Sequence, residues 1–328
     1  MNTRLSHGLL AVSAVFLAVA CHPVVAAEAP YQEVQHRESW LGSLFLRPAK
    51  DTPAAQLAHA RGLRDRGSLR RAKSHYHALV ATWPASAEAA TAQYEWARIL
   101  ESQEDHPAAF EQYQVLIDRF PGRFSFTEVL QRQTALAQRM AAHRAMPFLF
   151  GGFASADRAV PMYTQILTNA PAWEGAAEIR HRIGEIHESG GDLYDAAAAY
   201  ADVAYRHPDS PWAEKAGARR VECLVRVSEK APNNTRALDE AWAAAVDYLA
   251  RHPTAERAPL VKLRRDALFH RRAEAAYEAA HYYDRQKRSP DVVRTAYERF
   301  LTQFPNSPWT SAAQRRIAEL TPAKETTP

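Results

Sequence analysis

The stretch AAAAYADVAYRHP, running from Ala196 to Pro208, sets a small residue, a tyrosine four residues on and a proline eight residues beyond the ring. AFEQYQVLIDRFP, from Ala109 to Pro121, repeats it. Two further copies are Ala72, Tyr76 and Pro84, and Ala159, Tyr163 and Pro171. Looser ones are Ala241, Ala245 and Pro253, then Val293, Tyr297 and Pro305. A spacing of four puts the small residue and the ring on one helix face, so a neighbouring helix approaches over the alanine while the ring fills the space beside it. Leu79, Leu116, Ile166, Val203 and Phe300 lie three residues after the ring position and widen the same stripe. The proline then ends the helix.

From Pro84 to Pro121, and again from Pro171 to Pro208, is 37 residues, slightly longer than the roughly 34 of a tetratricopeptide unit. Each copy predicts the second helix of a hairpin. First helices are expected over Ala54 to Arg66, Ala89 to Ser102, Glu174 to Ser189 and Glu274 to Tyr283. Gly67 and Gly190-Gly191 read as turns, and Ser86, Ser210 and Ser307 as helix caps. The expected fold is all-α, a tetratricopeptide-like α-solenoid of about five to six helix-hairpin units. Residues 54–212 form the N-terminal units and 213–320 the C-terminal ones, a subdomain with longer first helices. A Phe-rich insert, with Phe148 to Phe153 at its centre, breaks the period near 123–157. It either packs between units or faces a partner.

Composition agrees with stacked helices. The chain has 328 residues, 47% of them hydrophobic, with only 12 glycines. Its net charge of +4 is too small for the dense basic stripe of a nucleic-acid binder, and no nucleic-acid partner is expected. The excess falls late: Lys262 to Arg288 holds eight Lys/Arg against four acids. That segment reads as a solvated helix face, with an acidic partner or anionic headgroups as the alternative.

Residues 1–27 read as a signal peptide. Arg4 precedes an apolar core from Gly8 to Ala20 that is too short to span a bilayer. Cleavage falls either before Cys21, after a lipobox-like Ala18-Val19-Ala20, or after Ala27. Lipidation at Cys21 would anchor the chain to a membrane, and His22 is not the Asp of an inner-membrane retention signal. An extended linker is expected over 28–53 and a disordered tail over 321–328. Beyond the leader only Cys223 remains, which excludes an intramolecular disulfide.

Ala273 to Tyr277, Ala279 to Tyr283, Tyr297 to Leu301 and Phe304 to Pro308 are similar to the last units of the BamD family of outer-membrane assembly lipoproteins. The likeness covers roughly residues 54 to 320. Periplasmic helpers of the Tol-Pal type carry similar Pro-x-Ser repeats. The lipobox, the interrupted third unit and Ala245 in place of a ring depart from the family pattern. The resemblance implies a non-catalytic protein-binding scaffold in the periplasm, attached to the inner face of the outer membrane. Its C-terminal units would dock on a β-barrel insertase and its N-terminal units would receive unfolded barrel substrates. The alternative is a soluble periplasmic module for cell-envelope maintenance.

In paired-helix solenoids the first helices carry the ligand-facing residues. Leu57, Arg61 and Arg64 share one face, and Tyr94 and Arg98, with Glu101, share the next. Arginines beside a ring suit a carboxylate and a terminal aromatic residue, or else bridge adjacent helices as ion pairs. Glu178, His181, Glu185 and Glu188 occupy the equivalent face further on, so the sign changes from basic to acidic. Phosphate-loop, nucleophile-elbow and His-Glu-x-x-His motifs are missing from the sequence, so no catalysis, cofactor or metal is expected.

Overall fold

The computed structural model describes residues 47–142 and 157–321. The leader with Cys21, the Phe148 to Phe153 stretch and the tail from 322 lie outside the described residues. Thirteen α-helices and no strand occur among those described. Six hairpins follow one another: α1 (Pro53–Asp65) with α2 (Leu69–Thr82), α3 (Ala87–Ser102) with α4 (His106–Arg119), and α5 (Phe126–Ala142) with α6 (Ala159–Asn169). Then come α7 (Ala176–Gly190) with α8 (Leu193–Arg206), α9 (Pro211–Lys230) with α10 (Thr235–Arg251), and α11 (Ala258–Arg285) with α12 (Pro290–Gln303). A single helix, α13 (Thr310–Leu320), follows the last pair.

The second helices stop for one reason. Each ends two residues before its proline, and the residue between, Trp83, Phe120, Ala170, His207, His252 or Phe304, has φ between −127° and −146° and ψ between 45° and 71°. The proline ring clashes with a helical conformation of its predecessor, so the chain must leave the helix there. Several starts are fixed as well. Ser86 Oγ accepts from Ala89 N at 3.2 Å, Ser210 Oγ from Trp212 N at 3.0 Å and Asp105 Oδ1 from Ala108 N at 3.3 Å. Ser307 is not a cap: α13 begins at Thr310, and the Ser307 amide donates to Thr310 Oγ1 at 3.1 Å.

The repeat residues form the core. Ala72, Tyr76, Ala109, Tyr113, Ala159, Tyr163, Ala196, Tyr200 and Tyr297 are all buried, together with Leu79, Leu116, Ile166, Val203 and Phe300. In the fifth hairpin Ala245 is buried where a ring stands elsewhere, and Tyr248, one turn on, supplies the aromatic. Gly217 on α9 makes room for it, since a Cβ there would lie 2.9 Å from Tyr248 Cδ2.

Two expectations change. Residues 123–157 are not wholly an irregular insert, because 126–142 form α5, the first helix of the third hairpin. Its buried Val129, Leu130, Gln133, Leu136 and Ala137 keep helical spacing and pack it into the stack. The last first helix is also far longer than Glu274 to Tyr283: α11 spans 28 residues. The described residues belong to one contact unit, and the 212/213 boundary falls inside a buried cluster running from Ala177 to Leu268.

Candidate ligand face of the first helices

Each of the first four hairpins has a buried polar residue four positions ahead of a small one. Gln56 precedes Ala60, Gln93 precedes Ala97, Gln133 precedes Ala137 and Arg180 precedes Gly184. Buried polar groups need partners, and the donor groups of these residues find them inside the stack, while Gln93 Oε1 and Gln133 Oε1 have none among the described residues. Gln56 Nε2 donates to the His75 carbonyl at 3.1 Å and Gln93 Nε2 to the Gln112 carbonyl at 3.0 Å, each partner 19 residues later on the second helix. Arg180 Nε donates to Asp202 Oδ2 at 2.8 Å. The small residue lets the second helix approach: a Cβ on Gly184 would lie 2.5 Å from Tyr200 Cε1.

These pairs fix the rotation of α1, α3 and α7 about their axes, and on α5 Gln133 Nε2 donates back to Gln114 Oε1 of α4 at 3.3 Å. Five residues after the buried polar group, each helix therefore presents an equivalent position, occupied by Arg61, Arg98, Gln138 and Glu185. Arg61, Arg98 and Glu185 are exposed. Among the described residues neither Arg61 nor Arg98 has a hydrogen bond or ion pair; Arg61 acts electrostatically on Tyr76 and Arg98 on Glu128. Between α5 and the start of α7 lies a cleft of about 470 Å³, with Gln131, Thr134 and Gln138 on one wall and Trp173, Glu174 and Glu178 on the other. The face thus runs from cations on α1 and α3, through amides on α5, to carboxylates around α7.

A second recurring arrangement joins neighbouring hairpins. The Tyr113 hydroxyl donates to Glu101 Oε2 at 3.0 Å, and that same oxygen takes Arg132 from α5 at 3.2 Å. Tyr200 donates to Glu188 Oε2 at 3.0 Å, and Glu188 Oε1 takes Arg219 and Arg226 from α9 at 3.3 and 3.2 Å. Tyr297 donates to Asp284 Oδ2 at 3.4 Å, where Arg316 of α13 sits at 2.7 Å. The Arg316 guanidinium holds the Asp284 carboxyl below its ordinary range. Burial, with the nearby carboxylate adding to it, raises the hydroxyl pKa of all three tyrosines, so each stays a donor at neutral pH.

The expected contact residues divide accordingly. Leu57 is buried, 7% exposed, and belongs to the core rather than to a ligand surface, a correction that follows from its place next to Gln56. Arg64 is engaged by Glu95 at 2.8 Å and Asp65 at 2.8 Å, the inter-helix bridge anticipated as the alternative role. The Tyr94 hydroxyl donates to Glu128 and accepts from Arg132 Nε at 3.0 Å. Arg61 and Arg98 have no ion pair among the described residues. On α7, His181 is buried between Tyr200 and Trp212 rather than facing solvent, and Glu188 is committed to the tyrosine and two arginines. Glu178 pairs with Arg182 at 2.7 Å, while Glu185 stays exposed. Sequence reading missed Gln131, Gln138 and Glu174. The five-residue offset from the buried polar residue would have found Gln138.

The tetratricopeptide-repeat family matches residues 91–122 and 180–210, which cover α3 with α4 and most of α7 with α8. The chain therefore contains tetratricopeptide repeats, a fold whose domains bind other proteins. No curated protein matches the sequence significantly. Similar solved structures include a tetratricopeptide repeat protein from Parabacteroides merdae, 11% identical over 82% of this chain and 98% of that one, with a TM-score of 0.31. Pseudomonas aeruginosa pilF is 12% identical over 80% and 96%, with a TM-score of 0.28. The TPR2AB domain of yeast Sti1, in a complex with pHSP90, is 13% identical over 82% and 98%, with a TM-score of 0.25. Superpositions this loose add nothing to what the hairpins themselves establish. Among the described residues no helix is long and apolar enough to cross a membrane, and no cluster of three potential metal ligands occurs.

Proposed function

We propose that this chain is a non-catalytic receptor for extended polypeptide segments in the bacterial envelope, working as a subunit of an outer-membrane β-barrel assembly machine of the BamD type. The observation that carries the reading is the pair Arg61 and Arg98, exposed and without an ion pair among the described residues at equivalent positions of adjacent first helices. Two exposed guanidinium groups on adjacent first helices suit a carboxylate-bearing ligand, which each can hold through forked hydrogen bonds. The C-terminal hairpins supply the docking surface for the insertase, and Cys21 supplies the lipid anchor.

Co-purification from solubilised envelopes tests this directly. The reading requires a large β-barrel protein to accompany the tagged chain, and its consistent absence sinks the assembly role. Labelling with a palmitate analogue, with Cys21→Ala as control, separates the anchored subunit from a soluble periplasmic module of envelope maintenance. That second reading is favoured by Leu17, which sits one position too early for a regular lipobox.

A further inference from the structure

We infer that the ligand of the first-helix face is an extended segment whose charges are segregated, its acidic end lying against Arg61 and Arg98 and its basic end against Glu174 and Glu185. The inference rests on the reading above that this face receives a polypeptide, and it adds which chemistry is selected and in which orientation. Three observations carry it. The equivalent positions Arg61, Arg98, Gln138 and Glu185 change from cation to amide to carboxylate in chain order, in a register fixed by buried Gln56, Gln93, Gln133 and Arg180. Among the described residues neither cation has a hydrogen bond or ion pair, so their field, which at Arg98 also acts on Glu128, extends to a ligand. Facing the acidic pole, the wall of the cleft opposite Glu174 is formed by Gln131, Thr134 and Gln138, neutral side chains that offer polar contacts to a backbone with no intramolecular partners.

The dimensions fit. Direct contacts make α1 and α3 neighbours through Arg64 and Glu95, and α3 and α5 neighbours through Tyr94 and Glu128, while the cleft joins α5 to α7. At roughly 8–10 Å per helix step, the poles are separated by about 20–30 Å, which roughly six to nine extended residues cover. A uniformly anionic polymer would be repelled by Glu174 and Glu185, and a uniformly cationic one by Arg61 and Arg98. Only a segment carrying both signs, separated by a neutral stretch, is attracted along its whole length.

The test uses the full chain, freed of its leader, and two fluorescent synthetic peptides of about fourteen residues and identical composition. One has glutamates at one end, lysines at the other and a neutral spacer; in the other the same charges alternate. At low salt the segregated peptide is expected to bind roughly tenfold more tightly, with the preference fading as salt is added. Arg61→Glu with Arg98→Glu abolishes the preference, as does Glu174→Lys with Glu185→Lys, and combining all four substitutions restores it because the poles have exchanged. All four side chains are exposed, so the helical circular dichroism should not change. Equal affinities for the two peptides overturn the inference while leaving polypeptide binding intact. Failure of both peptides to bind overturns it together with the reading beneath it.

Discussion

Arg64 Nη1 lies 2.8 Å from Glu95 Oε2, tying α1 to α3 with charges in the reverse order of the Glu101–Arg132 pair that ties α3 to α5 at 3.2 Å. Both pairs span 31 residues, and in both the first member stands twelve residues before a buried tyrosine. The exchange has a consequence for that ring. Glu101 accepts the Tyr113 hydroxyl, whereas Arg64 accepts nothing, and the buried Tyr76 hydroxyl has no partner among the described residues. Burial pushes the Tyr76 pKa up to about 12.

Reversing this first junction is therefore expected to be tolerated only as a pair. Arg64→Glu alone sets two carboxylates against each other and should cost about 1–2 kcal/mol. Adding Glu95→Arg rebuilds the order of the second junction and gives Tyr76 an acceptor, so the double variant should return to within about 0.5 kcal/mol of the parent. Urea denaturation of the four members of the cycle measures this.

Alanine should act with opposite sign at two helical glycines. At Gly184 the new Cβ meets Tyr200, a fully buried ring held by Glu188, and the overpacking should cost about 1–3 kcal/mol. At Gly62 the nearest atom is the flexible Arg66 Nη1 at 3.5 Å, and the gain in helix propensity should be about 0.5–1 kcal/mol. Thermal midpoints moving the same way for both variants would contradict the packing described.

The hairpin turns offer another comparison. Gly67, Glu104, Gly191 and Lys287 occupy the left-handed position after the first helix, with φ of 73°, 59°, 91° and 52°. Glycine adopts this conformation freely and other residues do so with strain. Glu104→Gly and Lys287→Gly should each stabilise by up to about 1 kcal/mol, and Gly67→Ala should destabilise by a similar amount. Denaturant midpoints decide it.

Acid should weaken the fourth hairpin through His181. Burial, then Arg219, Lys215 and Arg182, lower its pKa from 6.5 to about 4, outweighing Glu188. The unfolded chain takes up a proton near pH 6.5 that the folded chain refuses until about pH 4. Its contribution is thus complete above pH 6.5 and lost progressively as pH falls towards 4, to a total of about 3 kcal/mol. In His181→Phe, which keeps a ring against Tyr200 and Trp212, the stability lost between these pH values should shrink accordingly.

Much of the architecture was legible before any coordinates. The Ala-x3-Tyr spacing names the buried face of each second helix, and the pre-proline restriction fixes where it stops, because both are consequences of one or two local dihedral angles. The first helices were harder. Val129, Leu130, Gln133, Leu136 and Ala137 have helical spacing, but α5 lacks the tyrosine and proline that mark its neighbours, so its regularity was hidden beside the Phe148 stretch. Leu57 and His181 were misplaced because a helix face is a direction, and only the partner helices determine whether that direction is solvent or core.

Sequence alone determined the helical class, the 37-residue period, the helix-ending prolines and the drift from basic to acidic first helices, since these depend on neighbours a few residues apart. Tertiary structure decided which charges remain free. Arg61 and Arg64 differ by three positions in one helix, yet Arg64 meets Glu95, 31 residues away, and Arg61 meets no carboxylate among the described residues. An ion pair forms by distance in space, which stacking sets and local spacing does not.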